Sequence, residues 1–336
     1  MDFFSLSHAP GDFQQSLTPD KIRVLAARTF GSTVHVRSAR ELAGGEYNTI
    51  YRIALAGHDP VILRAAPDAG QWVPWHEEQL MRREHTIQPY FAALGSLLPQ
   101  TLFIDFTRDL IDRDYLFQTD MPGQQWSEVS QTLRAEEQTP LWRELASIAK
   151  TIHVVEGDEF GHPYPGRRFP TWSACMLDWL ERAAGDIEHA GLDATESRAI
   201  LDAARASHTI VDEITRPHLL HGDLWPFNVL IAPGPSGWHI TAMLDYDRAS
   251  WGDPFADWTF HLLPRRATPE VRATFWREYG RPEQTAHVRF RALLYEGMHA
   301  GNVLASAGHR GDDALATTAR GILRGVVKQL RNPLPA

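Results

Sequence analysis

Three oxygen-bearing side chains stand out for their spacing. In Asp223-Leu224-Trp225-Pro226-Phe227-Asn228 a carboxylate is followed five positions later by a carboxamide, and His221-Gly222 precedes them. Leu219 and Leu220 lead in, and Val229, Leu230 and Ile231 lead out. After a glycine and proline break, a second apolar run, Ile240 to Leu244, ends on Asp245. Short apolar runs bounded by turn residues are strand signals, so all three side chains are expected at or near strand ends. Phosphoryl transfer from ATP needs this inventory. One Asp orients the accepting hydroxyl and takes its proton, while an Asn and a second Asp hold Mg²⁺ against the nucleotide phosphates.

The segment resembles the catalytic loop and metal-binding Asp of protein kinases, with two departures. Gly222 stands where kinases have Arg, and Asp245-Tyr246-Asp247 stands for Asp-Phe-Gly. Those departures are the pattern of the aminoglycoside phosphotransferase and choline-kinase-like family. His-Gly-Asp-Leu-Trp is also how the segment reads in the related fructosamine kinases. Downstream, Trp251-Gly252-Asp253-Pro254-Phe255-Ala256-Asp257 is similar to the family's Gly-Asp-Pro-x-x-Asp stretch. The resemblance implies an α+β, protein-kinase-like two-lobed fold. A β-rich nucleotide lobe over residues 1–123 would precede a mainly helical lobe over 124–336. It also implies a small-molecule kinase using ATP, with GTP open, and Mg²⁺. Asp223 would be the base, Asn228 and Asp245 the metal ligands, and His221 and Asp257 supports of the loop.

Further elements must position a nucleotide ahead of that loop. Thr18-Pro19-Asp20 has the order of a helix start, and Ile22, Leu25, Ala26 and Phe30 follow at helical spacing to Gly31. Val34 to Ala43, Tyr47 to Leu55 and Val61 to Ala65 read as strands separated by glycine turns. The first turn, Gly44-Gly45-Glu46-Tyr47-Asn48, resembles the family's Gly-x-x-Asn loop, where glycines let backbone N–H groups approach phosphates. By the same resemblance Arg64 replaces the phosphate-gripping Lys, and guanidinium suits that task. Glu84, with Glu77 and Glu78 as competitors, would pair with Arg64. Gln118, Thr119 and Met121 belong to the expected hinge segment that bonds the adenine through main chain.

Trp72-Val73-Pro74-Trp75 reads equally as a mobile flap or a hydrophobic clasp. Helices are expected over His76 to Leu94, around Leu141 to His153, and over Trp172 to His189 and Thr195 to Ile214. Three more are expected over Pro269 to Tyr279, Ala286 to Ala305 and Asp312 to Leu330. Asp247, Asp253 and Glu296 are candidates for substrate contact.

A chain of 336 residues with 43% hydrophobic and 22% charged content can bury a sizeable core. Its net charge of −9 argues against a nucleic-acid partner; it fits the mild acidity that keeps many proteins soluble, with steering of a cationic acceptor as the alternative. Cys175 is the single cysteine, which excludes an intrachain disulfide and any Cys metal cluster and fits a reducing compartment. Met1 to Pro10 lacks the regions of a secretory leader, and no apolar run approaches a membrane span, so a cytoplasmic location without membrane association is expected. The sixteen histidines show no His-Glu-x-x-His or similar spacing. The acceptor stays open among an aminoglycoside or cationic peptide antibiotic, with resistance as its consequence, a fructosamine-type amine, and a choline- or homoserine-type metabolite. A nucleotide-binding pseudokinase is the reading from another class. A monomer or homodimer is expected.

Overall fold

Capping sets the first helix. Thr18 accepts a hydrogen bond from the Lys21 N–H at 3.3 Å, Pro19 takes the first helical position, and helix Pro19–Phe30 stops at Gly31 with φ of 96°. The computed structural model describes residues 1–8, 12–43, 45 and 47–331, and in it the chain divides into two compact units.

The first unit comprises residues 1–73 and 96–122. Its six-stranded sheet runs, in spatial order, Asp2–Phe4, Val36–Glu41, Thr49–Leu55, Val61–Ala65, Tyr115–Thr119 and Thr101–Asp105. Neighbours are antiparallel except Asp2–Phe4, which lies parallel to Val36–Glu41 and was not expected from sequence. Val61–Ala65 is buried along its whole length, Arg64 included, as befits a strand flanked on both sides. Tyr51, Ile53, Leu63 and Phe117 from the sheet pack with Ile22 and Leu25 of the helix.

The second unit comprises residues 74–95 and 123–336 and is mainly helical. Its core gathers Trp172, Met176 and Leu180 of helix Trp172–His189, Ile200 and Leu201 of helix Thr195–Ala206, and Leu294, Met298 and Leu304 of helix Ala286–Arg310. Two small sheets lie in this unit. Gly237–Met243, Val229–Gly234 and Gln124–Gln125 form one, and His218–Leu220, Ser250–Gly252, Phe160–Gly161 and Arg168–Phe169 form the other.

Residues 74–95 cluster with the second unit, whereas the sequence reading assigned them to the first lobe. They are also not one helix. A turn of 3₁₀ helix at Trp75–Glu77 is followed by Gln79 at φ of 55°, helix Leu80–Ile87, and a further 3₁₀ stretch Gln88–Leu97. Pro89 lacks an N–H and its ring crowds the preceding turn, which ends the α-helix where apolar spacing alone would extend it. Trp75 acts as a clasp: it is buried, its N–H donates to Asp186 Oδ2 at 2.7 Å, and its indole N–H donates to Asn302 Oδ1 at 3.1 Å. The run expected over Thr195 to Ile214 breaks at Ser207 into Thr195–Ala206 and His208–Val211. Helix Ala135–His153 starts earlier than its apolar residues suggested, and helix Trp258–Arg266 was missed. Among the described residues, no helix is long and apolar enough to cross a membrane.

Candidate active site

The loop after strand His218–Leu220 is shaped from beneath by one buried carboxylate. Asp257 Oδ2 accepts the His221 N–H at 2.9 Å, and Oδ1 accepts the Gly222 N–H at 3.1 Å. Oδ2 also accepts from His153 Nε2 at 3.0 Å, and His153 Nδ1 lies 2.8 Å from the Tyr279 hydroxyl. Burial alone would raise the Asp257 carboxyl. The hydrogen bond and charge of His153, with the bonds from the loop, overcome that and hold it below the usual range.

Gly222 has φ of 83°, and a Cβ built there would stand 2.4 Å from the Arg248 carbonyl oxygen. A side chain at that position is excluded by both conformation and space, which gives the departure from the kinase Arg a local cause. His221 is fully buried, and its Nδ1 accepts the Asp223 N–H at 3.3 Å. Phe91 and Tyr246 lie edge-on to its ring. Desolvation lowers its pKa to about 4, so it sits neutral. His221 therefore shapes the loop and does not itself present a proton donor to solvent. The Leu224 carbonyl accepts from the Thr259 hydroxyl at 2.7 Å.

Asn228 ends a 3₁₀ turn, Pro226–Asn228, directly before strand Val229–Gly234. That strand pairs with Gly237–Met243 so that Val229 faces Met243, and the Leu244 N–H donates to the Asn228 carbonyl at 2.8 Å. Asn228 and Asp245 thus share one end of a hairpin. The Asn228 side-chain amide donates to the Asp223 carbonyl at 2.9 Å, so its carbonyl oxygen is the atom that could accept or ligate. Asp245 takes the left-handed conformation, φ of 60°, a sparsely populated state that clusters at functional sites. Burial raises Asp223 to about 6; the Arg248 cation opposes the rise and the nearby Asp245 adds to it.

One carboxylate and one amide oxygen suit Mg²⁺, which takes few protein ligands and completes its shell with phosphates and water. Among the described residues no group of three or more His, Cys, Asp or Glu forms a self-sufficient cage. The donor set fits an ion shared with a nucleotide.

The acids proposed for substrate contact fare differently. Asp253 is buried and committed internally: Oδ1 accepts the Phe255 N–H at 3.0 Å and Oδ2 the Tyr295 hydroxyl at 2.6 Å, while the Trp172 indole N–H donates to that hydroxyl at 2.8 Å. This corrects the expectation of a substrate contact, since both oxygens already serve the fold. Glu296 pairs with Arg265. Asp247 is buried; burial lowers Arg83 to about 10, and Glu78, Glu77 and Asp247 oppose that. Cys175 is buried and its thiol is pushed up by desolvation, in keeping with a core residue.

In the first unit the candidate nucleotide residues are Gly45, Asn48, Arg64, Gln118, Thr119 and Met121; Gly44 and Glu46 lie outside the described residues. A Cβ on Gly45 would stand 3.1 Å from the Asn48 carbonyl oxygen, which also accepts from Gln14 Nε2 at 3.0 Å. Arg64 is buried on strand Val61–Ala65, opposite Ile50 and Leu116. Gln118 pairs with Ile62 and Thr101, and the Thr119 N–H donates to the Gln100 carbonyl at 3.0 Å. The strand ends at Thr119, so within the expected hinge only Asp120 and Met121 lie beyond the sheet. Glu84 is buried on helix Leu80–Ile87 of the second unit. Sequence reasoning missed Arg248, a cation directly following Asp245-Tyr246-Asp247, and left Glu77 as a mere competitor of Glu84.

A protein-family model described as the phosphotransferase enzyme family matches residues 38–293. A comparison with curated protein sequences matched none. A thermostable mutant of the aminoglycoside phosphotransferase APH(4)-Ia in its apo form matches with a TM-score of 0.67 at 19% identity, covering 92% of this chain and 99% of that one. A variant of that enzyme in ternary complex with ADP and hygromycin B gives 0.65 at 18%, covering 93% and 99%. The GDP and kanamycin complex of APH(2″)-IIIa gives 0.62 at 16%, covering 92% and 98%. The fold is α+β and protein-kinase-like, as the motifs implied.

Proposed function

We propose that this chain, which belongs to the phosphotransferase enzyme family, transfers the γ-phosphoryl group of ATP to a hydroxyl of a small molecule. It is a small-molecule kinase, and the assignment of roles within it is our reading. The observation that carries the reading is the grip of Asp257 on the His221 and Gly222 N–H groups, which sets Asp223 beside the hairpin end bearing Asn228 and Asp245.

Asp223 accepts the proton of the acceptor hydroxyl as its oxygen attacks the γ-phosphorus; the bond to the β-phosphate bridging oxygen breaks and ADP leaves with that electron pair. Asn228 and Asp245 would hold Mg²⁺, which when bound would offset negative charge on the phosphate oxygens. Arg64 would serve as the cation for the phosphates, and Gly45 and Asn48 are candidates for the segment that approaches them. Glu84 is a further candidate of the nucleotide machinery. Met121 lies in the segment best suited to main-chain recognition of the base, since the Thr119 N–H is already spent in the sheet. GTP is the alternative donor, because solved structures of this fold carry ADP in one case and GDP in another.

For the acceptor we favour a hydroxylated amine of the aminoglycoside type. The similar structures with hygromycin B and with kanamycin support it, as does the acidic balance of the chain. The individual acids lend little, because Asp253 is bound to Tyr295 and Glu296 to Arg265. The test is phosphorylation of a panel of aminoglycosides, hydroxylated amines, sugars and neutral alcohols with ATP and Mg²⁺. Best turnover on neutral alcohols, unaffected by salt, would overturn the aminoglycoside class and leave the kinase intact. Nucleotide binding without transfer to any member would favour a pseudokinase.

A further inference from the structure

Arg248 bridges two carboxylates. One guanidinium nitrogen donates to Asp223 Oδ2 at 3.2 Å, and the other lies 2.5 Å from Glu77 Oε1. The Glu77 side chain is fully buried, and that of Arg248 is 28% exposed, so this pair is shielded from the screening that makes surface ion pairs weak.

Both ends of the bridge are anchored. Glu77 sits in the turn Trp75–Glu77, whose Trp75 is tied to Asp186 and Asn302. Arg83 donates to the Trp75 and His76 carbonyls at 3.4 Å each, and Glu78 pairs with Arg182 at 2.8 Å. At the other end, the missing side chain of Gly222 lets the Arg248 main chain press against the catalytic loop. A carboxylate torsion is broad and two-fold, so Asp223 on its own would sample many orientations. A guanidinium on Oδ2, together with the neighbouring Asn228 side chain, fixes that torsion and turns one oxygen toward an acceptor.

We propose that Arg248 and Glu77 are positioning residues for phosphoryl transfer: Glu77 aims Arg248, and Arg248 fixes the Asp223 carboxylate so that one oxygen faces the acceptor hydroxyl. The proposal rests on the reading of Asp223 as the base. It gives residues 74–95 a role in the chemistry, since they supply the buried acid behind the bridge and Phe91, which packs on His221 and Tyr246.

The test uses the full chain with Mg–ATP and water as the accepting hydroxyl, read as phosphate release. Nucleotide affinity by calorimetry and crystal structures of the variants accompany it. Arg248→Gln should lower kcat about 10-fold or more, the order expected when a reacting group loses its orientation, with nucleotide affinity and KM for ATP unchanged. Its crystal structure should show the Asp223 carboxylate rotated or in two orientations. Glu77→Gln should lower kcat less, and the double variant should match Arg248→Gln alone, because both act through one bridge. Arg248→Lys should recover part of the loss.

An unchanged Asp223 orientation in Arg248→Gln overturns the proposal, as does wild-type phosphate release from it while Asp223→Asn is inactive. Wild-type release from Asp223→Asn itself would instead overturn the base assignment. Should Arg248→Gln fail to fold, Arg248→Lys decides: reduced kcat at unchanged nucleotide affinity supports positioning, and wild-type kcat with the wild-type Asp223 orientation refutes it.

Discussion

In each unit a buried acid organises the segment around it, Glu41 in the first and Asp257 in the second, and the two have different tasks. In the first, Glu41 accepts from the Leu6 N–H at 3.2 Å, the Ser16 hydroxyl at 2.8 Å and the Tyr51 hydroxyl at 3.0 Å, and lies 2.7 Å from His8 Nε2. Those bonds tie the leading segment to the sheet. In the second, Asp257 holds two successive N–H groups of the catalytic loop, His221 and Gly222. Burial would raise both carboxyls, and the donors around them outweigh it and lower both. Similar physics therefore stabilises a fold in one place and, on the proposed assignment of Asp223, presents a base in the other. Energetic importance and catalytic importance should come apart when the two acids are mutated.

The largest effect is expected at Asp257. Asp257→Asn replaces one of the two oxygens that accept from the loop with an NH2 donor and leaves His153 without its carboxylate, so turnover should fall by about 10²-fold. Stability should drop by on the order of 3 kcal/mol in denaturant unfolding. Retained turnover at reduced stability would make Asp257 no different in kind from Glu41.

The comparison also explains what the sequence disclosed. The loop was legible because Asp223, Asn228, Asp245 and Asp257 are chemically distinctive and lie in order around a short hairpin. In the first unit the strands were legible from their apolar runs, and helix Pro19–Phe30 from Thr18, Pro19 and Gly31. The nucleotide contacts expected there would be largely main-chain, and a backbone N–H leaves no mark on residue type. Arg64 indicates a charge without saying what it meets. Helix Ala135–His153 was read short because its opening turns are polar, and residues 76–94 were read as continuous because apolar spacing ignores what Pro89 forbids. The bridge from Glu77 through Arg248 to Asp223 joins residues far apart in sequence and follows no period, so only folding discloses it.

Glu41→Gln sharpens the contrast from the other side. Weakening the acceptor of several buried donors should cost about 2 kcal/mol. Unfolding would show that loss, while kcat measured below the unfolding transition should stay at the wild-type value. A loss of kcat matching that of Asp257→Asn would erase the distinction.

A smaller effect is expected at Asp245. Asp245→Ala should weaken Mg²⁺-dependent nucleotide binding by about 10-fold, measured by calorimetry with a non-hydrolysable ATP analogue, because one anionic ligand is lost. Unchanged affinity would move the metal ligand elsewhere, with Asp247 the first to examine.

The smallest effect concerns acid. Burial lowers His299 and His221 to about 4 each. The unfolded chain takes up protons near 6.5, while the folded one refuses them until about 4, so stability is fully present above 6.5 and declines as pH falls through that window. His299 Nε2 bonds the Ala256 carbonyl at 2.8 Å. His299→Gln keeps a donor there and removes the titration, so it should lose up to about 2 kcal/mol less than wild type between pH 7 and pH 5. An identical loss in both proteins would show that other groups govern acid unfolding.

The central claim is that the loop held by Asp257 presents Asp223 as the base of a small-molecule kinase. The most direct measurement is the mass of the products when the protein is incubated with ATP, Mg²⁺ and a panel of hydroxylated amines and alcohols, beside Asp223→Asn. The account predicts an acceptor heavier by one phosphoryl group, formed by the wild-type chain and reduced about 10²-fold or more in the variant, with nucleotide affinity retained. Equal product from both proteins would contradict it.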